Sequence, residues 1–413
     1  MPLSDTTGLD INRRDFMFGA AGALTAIAIL PEFSARAAAP SEKLPLALVG
    51  CGKQGRAILA EFAKLETASI VAVCDTVEGR RSGALRQAPN AEAFETLDAL
   101  LAKRKDVVGV IIATPTHLHK DLVIGALAAG KHVYCEAPIA HTEADCKAIA
   151  EAAANAAPKL MVAVGLEGRS NPVYRLARTF FRSDAVRDLV SIEAQQFQKT
   201  SWRVPSSDAS REKELNWRLD PALSLGLAGE WGVQAIDVAM WYTDKQPTSV
   251  SGSGSIQLHK DGRELADTIH VNFGMEGGSV MSYHASLANS FGGRYELLRG
   301  TNAAVKLSWT HGWMFKEADA PTQGWEVYAN RQRFHNDEGI TLIADATKLA
   351  SQGKLKEGVG LPNPSLYYAL SDFIDSIVAN KAPACDAAAG AKSTIIAIKA
   401  AAAVRSGELV KLA

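Results

Sequence analysis

From residue 44 to about residue 165 the chain alternates short apolar runs with amphipathic stretches. Leu46, Ala47, Leu48 and Val49 form an unbroken apolar run, the pattern of a strand covered on both faces. Ile58, Phe62 and Leu65 then recur at helical spacing, one apolar face among polar neighbours. Residues 70–74, 107–113, 132–135 and 161–165 repeat the short apolar run. Between them, residues 121–129 read as a helix stopped by Gly130, and Thr142 with Asp145 caps a helix over 143–156. Strands and helices that alternate with short loops predict a parallel sheet covered by helices on both sides.

Beyond residue 165 the period changes. Residues 169–188 read as a helix and 189–199 as a strand, and 250–258, 267–273, 278–286 and 295–299 read as further strands of a largely antiparallel sheet. Between them Glu230, Gln234 and Asp237 fall at i, i+4 and i+7, a polar stripe on an otherwise apolar segment. Such a stripe is either a solvated helix face or a functional one.

The amino terminus follows neither pattern. Residues 12–17, Asn-Arg-Arg-Asp-Phe-Met, precede an apolar run over 18–30, and small residues at 35, 37 and 39 offer cleavage sites. The apolar run of 13 residues is shorter than the ~18 that span a bilayer, so no stable membrane anchor is expected. Residues 1–39 are expected to be a twin-arginine (Tat) signal, read by the Tat export machinery and cleaved near residues 37–39, with a periplasmic mature protein. Composition adds little to this. The net charge of −1 gives no reason to expect a nucleic acid or an anionic surface as partner. Cys51, Cys74, Cys135, Cys146 and Cys385 show no metal-ligand spacing and are expected as free thiols, and no metal site is expected.

Candidate chemistry starts where the first strand ends. Gly50, Gly52 and Gly55 form G-x-G-x-x-G between a strand and a helix, with Lys53 and Gln54 inside the motif. The first glycine permits a tight turn, the second lets backbone approach a pyrophosphate, and the third lets helix and strand pack closely. The helix N-terminus favours an anion there. Asp75 stands 20 residues after Gly55, at the end of the next strand, where a carboxylate accepts from ribose hydroxyls and repels a 2′-phosphate. NAD is therefore expected rather than NADP. The fold class that follows is α/β, an N-terminal Rossmann doubly wound parallel sheet over 40–165. Residues 166–413 are expected to form an α+β domain with an open, mostly antiparallel sheet.

The glycine motif, Thr114-Pro115-x-x-x-His119 and Gly130-Lys131-His132-Val133-x-Cys135-Glu136-x-Pro138 together resemble the Gfo/Idh/MocA oxidoreductases. Residues 366–374 and 407–412 resemble that family too. The resemblance implies a cofactor crevice lined by Thr114, Pro115, Thr116 and His119, with Glu136 and Ala137 at the nicotinamide end. It also implies a small carbohydrate substrate met by Arg169, Trp217, Arg218 and Asp237, and a homo-oligomer formed through the second sheet. Two positions depart from the family pattern. Ala137 stands where the lysine of E-K-P is expected, and Gln234 where the active-site histidine is expected. A glutamine has no accessible pKa, and a positioned general base contributes ~10²–10⁴-fold. Glu230, His284, His311 and Lys316 are the candidates to replace it. The stretch 310–333 is rich in aromatic residues (Trp313, Phe315, Trp325, Tyr328), which suits sugar stacking, an oligomer contact or core. Three functions follow: an NAD-dependent oxidoreductase on a sugar, polyol or glycoside hydroxyl, an NAD-dependent glycosidase working by transient ring oxidation and elimination, or a nucleotide-loaded sugar-binding protein.

Overall fold

Six strands build the first sheet of the computed structural model, which describes residues 43–412 apart from 184, 207, 325, 327, 328, 335 and 336. The expected signal over 1–39, together with Trp325 and Tyr328, lies outside the described residues. The strands are β1 (Leu44–Val49), β2 (Ala68–Cys74), β3 (Glu92–Phe94), β4 (Gly109–Ile112), β5 (His132–Cys135) and β6 (Val162–Val164). All pair in parallel in the order β3-β2-β1-β4-β5-β6. That order reverses direction beside β1, which opens a crevice at the carboxyl ends of β1 and β4. The helices α1 (Lys53–Phe62), α2 (Glu78–Leu85), α3 (Leu97–Lys103), α4 (His119–Ala128) and α5 (Glu143–Ala156) connect the strands. Leu46, Leu48, Val110, Ile111 and Ile112 are fully buried, as unbroken apolar runs require.

The second sheet is larger than the sequence pattern predicted. After α6 (Pro172–Arg182) come β7 (Leu189–Phe197), α7 (Ala209–Leu215), a π-type turn at Leu227–Trp231 and α8 (Gly232–Thr243). The strands that follow are β8 (Pro247–Ser255), β9 (Thr268–Met275), β10 (Val280–Ser286), β11 (Arg294–Gly300), β12 (Ala303–Ser308), β13 (His311–Lys316), β14 (Arg331–Arg333) and β15 (Glu338–Thr341). With β16 (Val410–Lys411) they form a mixed sheet in the order β14-β15-β13-β12-β11-β7-β10-β9-β8-β16. Only β7 and β10 pair in parallel, and every other pair is antiparallel. Strand β12 alternates along its six residues and was missed, whereas β14 and β15 are too short to show a period. Helix α8 covers the inner face of β7 and β10.

The end of the chain crosses back. After the short helix α9 (Ala346–Ser351), helix α10 (Ser365–Ala379) packs on α1, and Leu366, Leu370, Phe373 and Ile374 share one buried cluster with Leu46, Leu48, Ile58 and Phe62. Helix α11 (Ala387–Ser406) touches α5, α8 and β8, so it joins both sheets. It is long and apolar enough to cross a membrane by composition, but its small residues Ala387, Ala391, Ala397, Ala400, Ala401 and Ala403 are buried here. The core of the Rossmann half is therefore packed in part by residues distant in sequence.

Phe373 is fully buried against Tyr134, with ring centroids 5.9 Å apart. Phe373→Ala is expected to lower the unfolding free energy by about 3–5 kcal/mol in chemical denaturation. A negligible loss would mean that α10 is an appendage rather than part of the core.

Candidate active site

Strand β1 ends in a glycine turn whose shape depends on having no side chains. Gly50 has φ +94°, and a Cβ there would lie 2.6 Å from the Ala113 carbonyl carbon at the end of β4. A Cβ on Gly55 would overlap the Gly50 carbonyl oxygen, so only glycine lets α1 approach β1 this closely. Around Gly52 the space is open, with no atom within 4 Å of where a Cβ would stand. No side chain caps α1 at Gly52, and its first turn carries no acid, so its free N–H groups face that space. Asp75 is buried, and its carboxylate accepts from the Cys51 and Val77 N–H groups at 2.8 Å each. An open helix N-terminus next to a fixed carboxylate suits the pyrophosphate and ribose of a dinucleotide.

The crevice continues along the ends of β4, β5 and β6. Lys53 is exposed beside the turn, while Gln54 points inward and donates to Glu136 Oε1 at 3.1 Å. The Thr114 and Tyr134 hydroxyls are buried without partners, which suits a site that completes them with a ligand. Pro115 and Ala137 are partly exposed on the same edge. His119 lies behind this wall rather than on it. It is 1% exposed, with Nδ1 2.9 Å from the Pro138 carbonyl and Nε2 3.0 Å from the Thr114 carbonyl. Burial pushes its pKa down to about 4, while the Thr114 and Pro138 carbonyls oppose that shift because a neutral ring can donate to only one of them.

Carboxylates crowd the end of the crevice. Burial, then the charge of Glu167, pushes Glu136 up to about 8. Burial also raises Glu167, with Arg294 opposing, and raises Glu230, with Arg218 opposing. The Thr116 hydroxyl donates to Glu230 Oε2 at 3.0 Å, and the Leu225 N–H to Oε1 at 3.2 Å. Gln234 donates from Nε2 to the Gly165 carbonyl at 2.7 Å and accepts the Glu167 N–H at 3.2 Å. The Glu230–Gln234–Asp237 stripe is therefore no solvated face. It turns toward the end of β6.

Two walls carry polar atoms that lack partners among the described residues. On one, the Arg218 guanidinium lies 5.1 Å from the Trp217 ring and 5.7 Å from the Trp202 ring, and His117 meets Trp217 at 5.8 Å. Arg218 Nε and His117 Nδ1 are buried and unpartnered. On the other, the Arg294 guanidinium stacks 3.3 Å over Trp309, and Tyr283 underlies Gly232 at the start of α8. Arg294 Nη2, Trp309 Nε1 and the Tyr283 hydroxyl are likewise buried and unpartnered.

Several expected residues lie elsewhere. Arg169 and Asp237 are engaged with each other: Arg169 Nη2 donates to Asp237 Oδ1 at 2.8 Å and Nε to Oδ2 at 2.9 Å. The Ser393 hydroxyl of α11 donates to the same carboxylate at 2.7 Å, and the Asp237 side chain is 2% exposed, too enclosed to meet a substrate. Burial works against the Arg169 charge, but Asp237 outweighs it and holds the guanidinium pKa above its ordinary value. Lys316 is paired with Glu326 at 2.6 Å, and His311 stacks 5.7 Å from Trp313 beneath Gly360. His284 faces His270 across β9 and β10, with ring centroids 4.4 Å apart. None of these three contacts the carboxylate group through any of those partners. Trp313 and Phe315 pack with Phe334 on β13, an aromatic cluster rather than part of the crevice. The residues missed from sequence are Glu167, Tyr283, Arg294 and Trp309. Glu167 had a signal, since it follows an apolar strand just as Glu136 does; the other three had none.

Comparison with known proteins agrees with this architecture. Residues 44–164 match the profile of an oxidoreductase family with an NAD-binding Rossmann fold, and residues 174–306 match a GFO/IDH/MocA C-terminal domain. An inositol 2-dehydrogenase of Salmonella paratyphi B is 37% identical over 133 residues, 32% of this chain and 39% of its own length. A 2,7-anhydro-N-acetylneuraminate hydratase of Escherichia coli is 26% identical over 264 residues, 63% of this chain and 66% of its own. The crystal structure of a levoglucosan dehydrogenase with NADH and levoglucosan superposes with a TM-score of 0.70 at 19% identity. It covers 90% of this chain and 99% of that one.

Asp237→Ala would leave Arg169 buried without its partner. The expected loss is about 3–5 kcal/mol of stability, read by chemical denaturation. An unchanged unfolding midpoint would show the pair to be dispensable.

Proposed function

The chain belongs to the Gfo/Idh/MocA oxidoreductases, and on that premise we propose that it oxidises a hydroxyl of a sugar, polyol or glycoside with NAD. The observation that carries this reading is that Gln54 of the glycine turn bonds Glu136, whose other oxygen lies against Gly165, the residue Gln234 holds. Bound there, NAD supplies a hydride acceptor. The free N–H groups of α1 hold the pyrophosphate, and Asp75 takes the ribose hydroxyls. Glu136, held by Gln54, orients the nicotinamide end. Arg218, Arg294, Trp309 and Tyr283 offer donors to the hydroxyls of a carbohydrate.

An exported enzyme has no ready supply of reduced or oxidised nucleotide, so NAD is held tightly and carried through folding. The twin arginines of residues 13 and 14 support export to the periplasm by the Tat route. Arg13→Lys with Arg14→Lys should leave the precursor inside the cell, read by fractionation. Normal export of that variant would remove the location. A redox-neutral second reading, transient oxidation followed by elimination or hydration, is favoured by Ala137 and Gln234 at the proton-handling positions. The Escherichia coli relative, whose name is that of a hydratase, supports it too.

The test is a spectrum of purified mature protein titrated with sugars and glycosides. NAD rather than NADP should remain bound. Net NADH formation supports the oxidoreductase, and product release without it supports the redox-neutral cycle. A protein that takes up neither nucleotide overturns both.

A further inference from the structure

Neither proton-handling position of the family pattern can accept a proton here, because they hold Ala137 and Gln234. Of the other titratable groups around the crevice, burial raises the Tyr134 and Tyr283 pKa and keeps those hydroxyls protonated. His117 lies against Trp217 and His141, with Nδ1 unpartnered among the described residues, and the rest are committed. The Gln234 amide is spent on both sides, on the Gly165 carbonyl and the Glu167 N–H. Glu230 closes the turn before α8, with one oxygen on the Thr116 hydroxyl and the other on the Leu225 N–H. Glu136 takes the Gln54 amide on Oε1, and its Oε2 lies against Gly165. Both nitrogens of His119 face carbonyl oxygens behind the wall. Lys316 is paired with Glu326.

Glu167 stands apart from all of these. Among the described residues its carboxylate accepts no hydrogen bond, while its own N–H is fixed by Gln234. It is partly exposed and sits just past β6, on the strand edge where Gly50, Thr114 and Glu136 also lie. The charged and titratable groups that face it are Glu136 and Tyr134 from the β5 edge and Arg294 from β11. Burial makes this carboxylate more basic than one in water, with Arg294 opposing, which suits a proton acceptor.

We infer that Glu167 is the proton acceptor of this site, a role that rests on the reaction proposed above. With NAD bound, its nicotinamide would supply the acceptor for the carbinol hydride, and a Glu167 oxygen would take the hydroxyl proton as the C–O bond becomes a carbonyl. In the reverse direction the protonated carboxyl returns that proton to the alkoxide. Gln234 is a positioning residue in this arrangement, because it holds the Glu167 backbone through a hydrogen bond at 3.2 Å.

The experiment compares the mature wild-type holoenzyme with Glu167→Gln and Glu167→Asp. Glu167→Gln should retain NAD and lose about 10²–10⁴-fold in kcat with KM little changed, and Glu167→Asp should recover part of the loss. A base must be ionised, so wild-type kcat/KM should rise with pH through the Glu167 ionisation and level off above it. Glu167→Gln should lack that limb. A second readout needs no turnover: carboxyl ¹³C NMR of glutamate-labelled protein. There Glu167→Gln should remove one titrating carboxyl and lower the pKa of Glu136 from about 8, since the Glu167 charge helps raise it. Wild-type kcat and an intact pH limb in Glu167→Gln, or an unmoved Glu136 titration, would overturn the assignment. A wild-type protein whose spectrum shows no bound nucleotide removes the reaction itself, and that outcome is distinct from failure of Glu167 alone.

Discussion

One helix face reads the end of one strand, and the site depends on that contact. Gln234 and Asp237 lie three residues apart on α8, so they project from the same face. Gln234 takes Gly165 and Glu167 through their backbone, and Asp237 takes Arg169 through its side chain. The chain just past β6 is thus fixed to the helix that covers the second sheet. Ser393 brings α11 onto the same carboxylate. A buried ion pair adds little net stability, because desolvation offsets most of the attraction, but losing one partner is costly. Its effect here is geometric, since it sets where the crevice of the first sheet meets the inner face of the second.

That fixed meeting explains the electrostatics of the crevice. Glu136 and Glu167, from separate segments, lie close enough for the Glu167 charge to raise Glu136, and burial raises both of them and Glu230. Among the described residues, Arg218 lies near Glu230 and Arg294 near Glu167 without hydrogen-bonding to any of the three. The result is a set of acceptors and a set of unpartnered donors held apart by the fold. A ligand rich in hydroxyls satisfies both kinds at once, and an apolar one would satisfy neither.

The first sheet was legible because its rules are local. Unbroken apolar runs mark buried parallel strands, and three glycines at fixed spacing mark a turn that no other residue can make. Asp75 could be placed by counting residues. The second sheet was legible only in part, since β14 and β15 are too short to show a period, and β12 was missed although it alternates. The stripe of Glu230, Gln234 and Asp237 was visible as a pattern, but the pattern could not say what it faced. Glu230 sits in a π-type turn, and Asp237 is covered by Arg169 and Ser393, so the three do not act as one surface.

What the sequence by itself determined is the parallel sheet of a nucleotide-binding half and the glycine turn with its acid. These follow from residue identity and short spacing, because backbone conformation and strand burial are set within a few residues. Only the tertiary structure decided which carboxylates keep free oxygens, that Arg169 and Asp237 hold each other, and that Arg294, Trp309 and Tyr283 line the same space. Those facts depend on side chains from β11, β10 and the loop before β13 arriving beside the end of β6. Contacts between residues far apart along the chain, such as Arg169 with Asp237, 68 positions on, leave no period in a single chain.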